Sequence, residues 1–221
     1  MGKAHRSKGR PLKKPNPLCW IVPIGYVVAL DGLAATLAAV GFVDDAKFEG
    51  LIEVLINTCG LLALGFFFAN IVLSIVLGVR GGAGRRAFLR KSMLLVKLGL
   101  IPFFLFGALV MLAMAAISVL PMFAMFGVMF LPLLAVLGWL IMAGGSPWSI
   151  AYAARMRRDG LISGSECALH IVLQLLFVAD VADAIALFVC GRSLEQRAQT
   201  PPPSTPAPVP PSTPPEEGSS R

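Results

Sequence analysis

The chain has 221 residues, of which 57% are hydrophobic and only 14% charged, with a mean hydropathy of +0.79. A water-soluble domain of this size needs a more polar surface, so the composition predicts an all-α integral membrane protein. The formal net charge of +7 comes from basic residues beside the ends of apolar segments. That placement favours anionic lipid headgroups as partners and argues against nucleic-acid binding.

The chain begins with a basic tail, residues 1–17, that we expect to be disordered and cytoplasmic. It contains six lysines and arginines and three prolines. The apolar stretch that follows, 18–43, is longer than the apolar region of a secretory signal peptide, so it is predicted to be an uncleaved first span. At the other end, the proline-rich tail 199–221 predicts an extended, solvated segment.

Between the tails we predict one helical membrane domain, 18–198, containing a bundle of five apolar helices. Four are expected to be transmembrane spans, and the fifth has a polar face. The predicted helices lie at about 20–43, 51–79, 93–117, 122–142 and 166–190. Pro121 predicts a turn between the third and fourth helices, and Pro102 and Pro132 each predict a bend because proline removes a backbone donor.

Basic residues predict how the helices are oriented. One cluster forms a loop after the second span, and another follows the fourth span, in a segment expected to be a short helix at the inner surface with Trp148 and Tyr152 at the interface. The positive-inside rule then predicts a multi-pass protein of the cell membrane with a cytoplasmic N-terminus. The residues concerned are Arg80, Arg85, Arg86, Arg90, Lys91, Arg155, Arg157 and Arg158.

The fifth segment, 166–190, is long enough to span but contains four polar residues on one half of a helix. Inserting an aspartate at the bilayer centre costs roughly 2.5–3.5 kcal/mol, against about 0.3–0.6 gained per large apolar residue. Two arrangements remain open. In one the segment spans with its polar half inside the bundle and the C-terminus is external. In the other it lies along the inner interface and the C-terminus is cytoplasmic.

Polar side chains within apolar segments are the candidate functional residues. Because such groups are costly in a bilayer, they usually pair, become neutral or line a wet cavity. They can form a proton or ion pathway, or they can hold helices in register, for example through Lys97 and Asp180. The candidate polar network consists of Asp31, Asn57, Asn70, Lys97, His170, Gln174, Asp180 and Asp183.

The sequence contains no complete set of residues for an intramembrane enzyme. The spacing at Gly160–Gly164 differs from a rhomboid-type serine motif, and Asp180-Val-Ala-Asp183 gives only the first part of a phosphotransferase aspartate series. No cofactor or metal site is predicted. We therefore expect a non-enzymatic protein that acts as an accessory or partner-binding subunit through helix packing, with a membrane protein or a second copy as partner. The alternative is a small transporter or ion- or proton-conducting protein that uses intramembrane Asp and His residues.

Two short patterns resemble small bacterial polytopic membrane proteins without an assigned function. They are the segment from Lys97 to Phe104, Lys-Leu-Gly-Leu-Ile-Pro-Phe-Phe, and the series His170, Gln174, Asp180 and Asp183. The resemblance covers about 90–190 and excludes both tails. It implies a bundle of four to five helices and no particular activity.

Overall fold

The computed structural model describes residues 16–40, 46–80, 83–174 and 176–199. Within these ranges the chain is helical and contains no β-strand, which confirms the all-helical fold class. The basic tail before residue 16, the segment 41–45 between the first two predicted spans and the proline-rich tail after residue 199 lie outside the described residues.

In the described part of the chain, eight α-helices follow a short 3-10 helix at Pro17–Trp20. They are α1 (Ile21–Val40), α2 (Ala46–Arg80), α3 (Ala83–Gly99), α4 (Ile101–Ile117), α5 (Ala124–Gly145), α6 (Pro147–Arg158), α7 (Gly164–Leu173) and α8 (Phe177–Gln199). Four segments are long and apolar enough to cross a bilayer, namely Pro17–Val40, Gly50–Arg80, Gly84–Ile117 and Ala124–Gly145. The four predicted spans each correspond to one of these segments.

The helices are interrupted near two prolines, at the turn expected around Pro121 and also near Pro102, where only a bend was expected. The third apolar segment is divided at Leu100 into α3 and α4, with Pro102 in the first turn of α4. A proline there suits the start of a helix because its missing N–H needs no partner in the first turn. Residues 118–123 form the turn expected around Pro121, whereas Pro132 lies inside a continuous α5.

The predicted basic loop is mostly helix. Arg80 is the last residue of α2, and α3 already begins at Ala83, so Arg85, Arg86, Arg90 and Lys91 are helical. Arginine, lysine, alanine and leucine are all strong helix formers, and their local preference outweighs the two glycines at 81–82, which lie outside the described residues. The interpretation of this segment as a loop was therefore wrong from residue 83 onwards.

The prediction of a single fifth helix is also wrong. Residues 166–190 belong to two helices, α7 and α8, which are separated around Gln174 and Leu176. A continuous helix would place His170 and Asp183 about 20 Å apart, at 1.5 Å per residue. The interruption folds α8 back towards α7, so polar side chains from both helices meet and satisfy one another. Neither helix is among the four segments with the length and composition of a span.

The core is formed by buried residues of α1, α2, α3, α6 and α8. Trp148 and Tyr152 of α6 are completely buried inside the protein, so the expectation that these aromatic side chains face the membrane interface is wrong. Side chains of α1 and α2 pack tightly against Gly144 of α5, because a Cβ atom there would collide with the Phe67 ring and would lie 2.6 Å from the Tyr26 hydroxyl oxygen. In contrast, α4 has no buried residue at all.

Candidate functional site

The centre of the candidate site is a buried ion pair between α3 and α8. Lys97, in the last turn of α3, is 4% exposed, and Asp180, in the first turn of α8, is 1% exposed. The Lys97 ammonium group donates to Asp180 Oδ2 and, over 3.0 Å, to Ser146 Oγ. The pairing of Lys97 with Asp180 considered from the sequence is therefore present, although 83 positions separate the two residues.

Ser146 connects this ion pair to the neighbouring helices. It is the single residue between α5 and α6, and it is buried. Its hydroxyl oxygen lies 3.1 Å from the Met142 carbonyl oxygen and 3.5 Å from the Gln174 carbonyl oxygen. One small side chain thus contacts α3, the end of α5 and the turn after α7. Ser146 was not among the residues selected from the sequence, although a serine directly before a helix-starting proline was a usable signal.

A second polar group joins α7 to α8. His170 Nδ1 lies 2.5 Å from Asp183 Oδ1, and Gln174 Nε2 donates to Asp183 Oδ2 over 2.6 Å. Both oxygens of the buried Asp183 carboxylate therefore have partners. Gln174 contacts both groups, because its side chain binds Asp183 and its backbone carbonyl oxygen lies near Ser146. The two groups are therefore neighbours in one polar network across α3, α5, α7 and α8.

The remaining candidate residues lie elsewhere. Asn70 is fully buried on α2 and accepts a 2.7 Å hydrogen bond from Trp148 Nε1 on α6. Asp31 on α1 interacts with the backbone amide of Phe103, in the first turn of α4. Asn57 is exposed on α2. The structure therefore brings Lys97, His170, Gln174, Asp180 and Asp183 together, and it does not bring Asn57, Asn70 or Asp31 into their contacts.

The basic residues that were expected only to face headgroups also hold helices together. Arg86 on α3 forms a 2.8 Å ion pair with Asp159 at the end of α6, and Arg155 contacts the same carboxylate over 3.1 Å. The Arg90 guanidinium carbon lies 5.5 Å from the ring centre of Phe188 on α8. Asp159, which the sequence analysis did not select, is therefore the acidic partner between two basic helices. Lys91, Arg157 and Arg158 are exposed, as is Arg80 at the end of α2.

The family of unknown function DUF6652 matches residues 19–192, which include every helix of the network apart from the last residues of α8. The chain belongs to this family. The match extends well beyond the 90–190 region of the resemblance seen in the sequence and agrees with it that the family has no assigned function. No curated protein and no solved structure matches the chain.

Beside the ion pair, this DUF6652 chain has a cavity of about 270 Å³. Its walls come from α3, the start of α4, the end of α5 and α8, and they are almost entirely apolar. Lys97 and Asp180 are the two charged residues in the wall. The network thus has a partly exposed end at His170, whose side chain is 23% exposed, and another end that faces the cavity.

Two buried oxygen atoms of the network have no hydrogen-bond donor among the described residues. They are Asp180 Oδ1 and Gln174 Oε1. A buried acceptor without a donor costs about 1–3 kcal/mol, so each atom is a site where a donor would bind favourably. In the described part of the chain no group of three or more His, Cys, Asp or Glu residues has a metal-binding arrangement.

Proposed function

We propose that this DUF6652 protein is a non-enzymatic, multi-pass protein of the cell membrane that works by packing its helices against a second membrane protein or another copy of itself. The observation that carries the proposal is the exposure of α4. This 17-residue apolar helix has no buried residue, and Leu112 is 67% exposed. A partner helix or lipid is needed to cover such a surface, because leaving it in water costs roughly 25 cal/mol per Å².

The lack of catalytic chemistry is supported by how the ionisable groups are used. Lys97 is paired with Asp180, and Asp183 is paired with His170 and Gln174. Such pairs between helices compensate buried charges and fix how the helices meet. We therefore assign the network primarily to holding α7 and α8 against the apolar helices.

We further propose four spans, with the N-terminus and C-terminus both in the cytoplasm. The basic first half of α3 packs against α6 and α8, so these three helices would lie on the same side of the membrane. The positive-inside rule assigns that side to the cytoplasm, where the exposed Lys91, Arg157 and Arg158 meet anionic headgroups. A reporter fused after residue 221 should then be cytoplasmic, and an external reporter would contradict the four-span arrangement.

Photocrosslinking in intact membranes tests whether a protein partner covers α4. A photoreactive amino acid is placed at Leu112 on α4 and, in a matched control, at Val72 on α2, which is 60% exposed. We expect protein adducts from position 112, either with a differently tagged copy of the chain or with one reproducible membrane protein identified by mass spectrometry. Adducts with lipid alone at position 112, as at position 72, would contradict the proposed role.

A second candidate function, transport of protons or ions, is favoured by the clustering of ionisable groups in the buried network. His170 pairs with Asp183, and Lys97 pairs with Asp180 beside the cavity. Gln174 lies between the two pairs and contacts the first through its side chain and the second, by way of Ser146, through its backbone carbonyl oxygen. Ionisable groups at several positions inside a membrane protein are typical of proton and ion pathways.

A flux measurement separates the two candidates. The protein is reconstituted in vesicles with a pH gradient, and wild type is compared with Asp180→Asn and with the control Glu53→Gln, an exposed residue of α2. Flux that is present in wild type and in the control but absent in Asp180→Asn would favour transport. No flux in wild type, combined with lower stability of Asp180→Asn, would favour the packing role.

A further inference from the structure

The cavity beside the ion pair has two features of ligand-binding sites, an apolar wall and a few polar groups. Leu100, Phe104 and Met142 are among the lining residues, and Asp180 also lines the cavity. Asp180 is 1% exposed, and its covered Oδ1 atom has no donor among the described residues, while Oδ2 accepts from Lys97. We propose that the cavity binds a neutral amphiphile, such as a long-chain alcohol or a lipid with a free hydroxyl group, whose hydroxyl donates to Asp180 Oδ1 once the carboxylate turns towards the cavity.

Charge decides between the possible headgroups. Lys97 already neutralises Asp180, so an ammonium headgroup would bring an additional positive charge into an apolar cavity without a free counter-charge at that position. A carboxylate headgroup has no proton to donate and would likewise bring an additional charge into the apolar cavity. A hydroxyl group supplies the missing donor without burying a charge, and hydrogen bonds to a charged acceptor are worth more than neutral ones.

The volume and position of the cavity define the apolar part of the ligand. An engineered apolar cavity of about 150 Å³ holds benzene, so 270 Å³ accommodates roughly ten to twelve non-hydrogen atoms. The lining residues continue from Lys97 along the first turns of α4 to Leu105, which is 62% exposed. The hydroxyl would therefore lie at the level of the ion pair, and the chain would extend along α4 towards the lipid. This inference uses the four-helix membrane arrangement and does not depend on a protein partner.

Competitive photolabelling of the full-length protein in phosphatidylcholine vesicles tests the site. The probe is a long-chain primary alcohol with a diazirine at the end opposite the hydroxyl, and labelled peptides are identified by mass spectrometry. Labels are expected on the segments around Phe104 and Leu105. At equal mole fraction in the bilayer, dodecanol should compete about tenfold better than dodecane, because dodecane lacks the hydrogen bond to Asp180. Equal competition by the two compounds would overturn the proposal, and stronger competition by dodecylamine would overturn the neutral headgroup.

Two tryptophan substitutions on the same face of α4 provide the matched control. Leu105→Trp blocks the exposed end of the cavity, whereas Leu109→Trp lies one turn further along and outside it. Both leucines are exposed, so neither change disturbs the core. We expect labelling to fall at least about fivefold in Leu105→Trp and to stay at the wild-type level in Leu109→Trp, since each tenfold change in affinity corresponds to about 1.4 kcal/mol. The same labelling in both variants would show that the probe binds the general lipid-facing surface and would overturn the site.

Discussion

The ion pair between Lys97 and Asp180 leads to a prediction about stability. Lys97→Met and Asp180→Leu each remove one charge and leave the other without its partner, while the double variant removes both. We expect each single variant to be strongly destabilised and the double variant to be more stable than either. The reason is that an unpaired buried charge costs more than the loss of the pair itself.

The size of the expected loss in the free energy of unfolding follows from the burial of both side chains. The side chains alone are 4% exposed for Lys97 and 2% exposed for Asp180, so water does not screen either charge. After Asp180→Leu, the lysine keeps only the Ser146 hydroxyl as a partner, and after Lys97→Met the carboxylate keeps none of the contacts described above. Breaking such a pair from one side costs about 3–5 kcal/mol, and replacing both partners by apolar residues is often close to neutral. The coupling energy should therefore exceed about 3 kcal/mol.

Equilibrium unfolding of the full chain in mixed micelles, followed by tryptophan fluorescence, measures these free energies. Lys91→Met is the matched control, because Lys91 lies on the same helix but is exposed, and it should change the free energy of unfolding by less than about 0.5 kcal/mol. Additive effects, with the double variant as unstable as the sum of the single variants, would refute the reasoning. They would mean that the two charges do not compensate each other in the folded protein.

Two further predictions concern other contacts. Trp148→Phe removes the donor to Asn70 and leaves a buried amide oxygen without a partner, so the free energy of unfolding should fall by about 1–3 kcal/mol. The control Trp139→Phe, at a partly exposed position, should lower it by less than about 0.5 kcal/mol. At the start of α7, hydrogen bonds from the Ser163 backbone and side chain lower the pKa of Glu166 from its ordinary value of 4.5. Because the folded-state pKa is the lower one, the stabilisation is fully present above about pH 4.5 and is lost as the pH falls through that lower value. Hydrogen exchange of α7 should therefore accelerate in acid in wild type but change little with pH in Glu166→Gln, and an unchanged acid response in that variant would contradict the assignment.

Some features of the candidate site followed directly from local sequence. Lys97, His170, Gln174, Asp180 and Asp183 stood out because polar residues are rare in apolar segments, and all five belong to the network. Ser146 was missed because serine is common at helix ends and its contact with Lys97 depends on a residue 49 positions away. Trp148 was assigned to the interface for a similar reason, since its partner Asn70 lies 78 positions away.

By itself, the sequence determined the four long apolar helices and the turn around Pro121, because length, hydropathy and proline act within a few neighbouring residues. Near Pro102 the sequence predicted only a bend, whereas the structure has a break at Leu100. Only the tertiary structure decided that 166–190 folds into two helices and that α6 is buried in the core. The periodicity of a continuous helix already placed the polar residues of 166–190 on one side. The chain instead breaks near Gln174, and His170 and Asp183 can pair only because α8 folds back on α7. Leaving the buried carboxylate without a partner would cost more free energy than interrupting the helix.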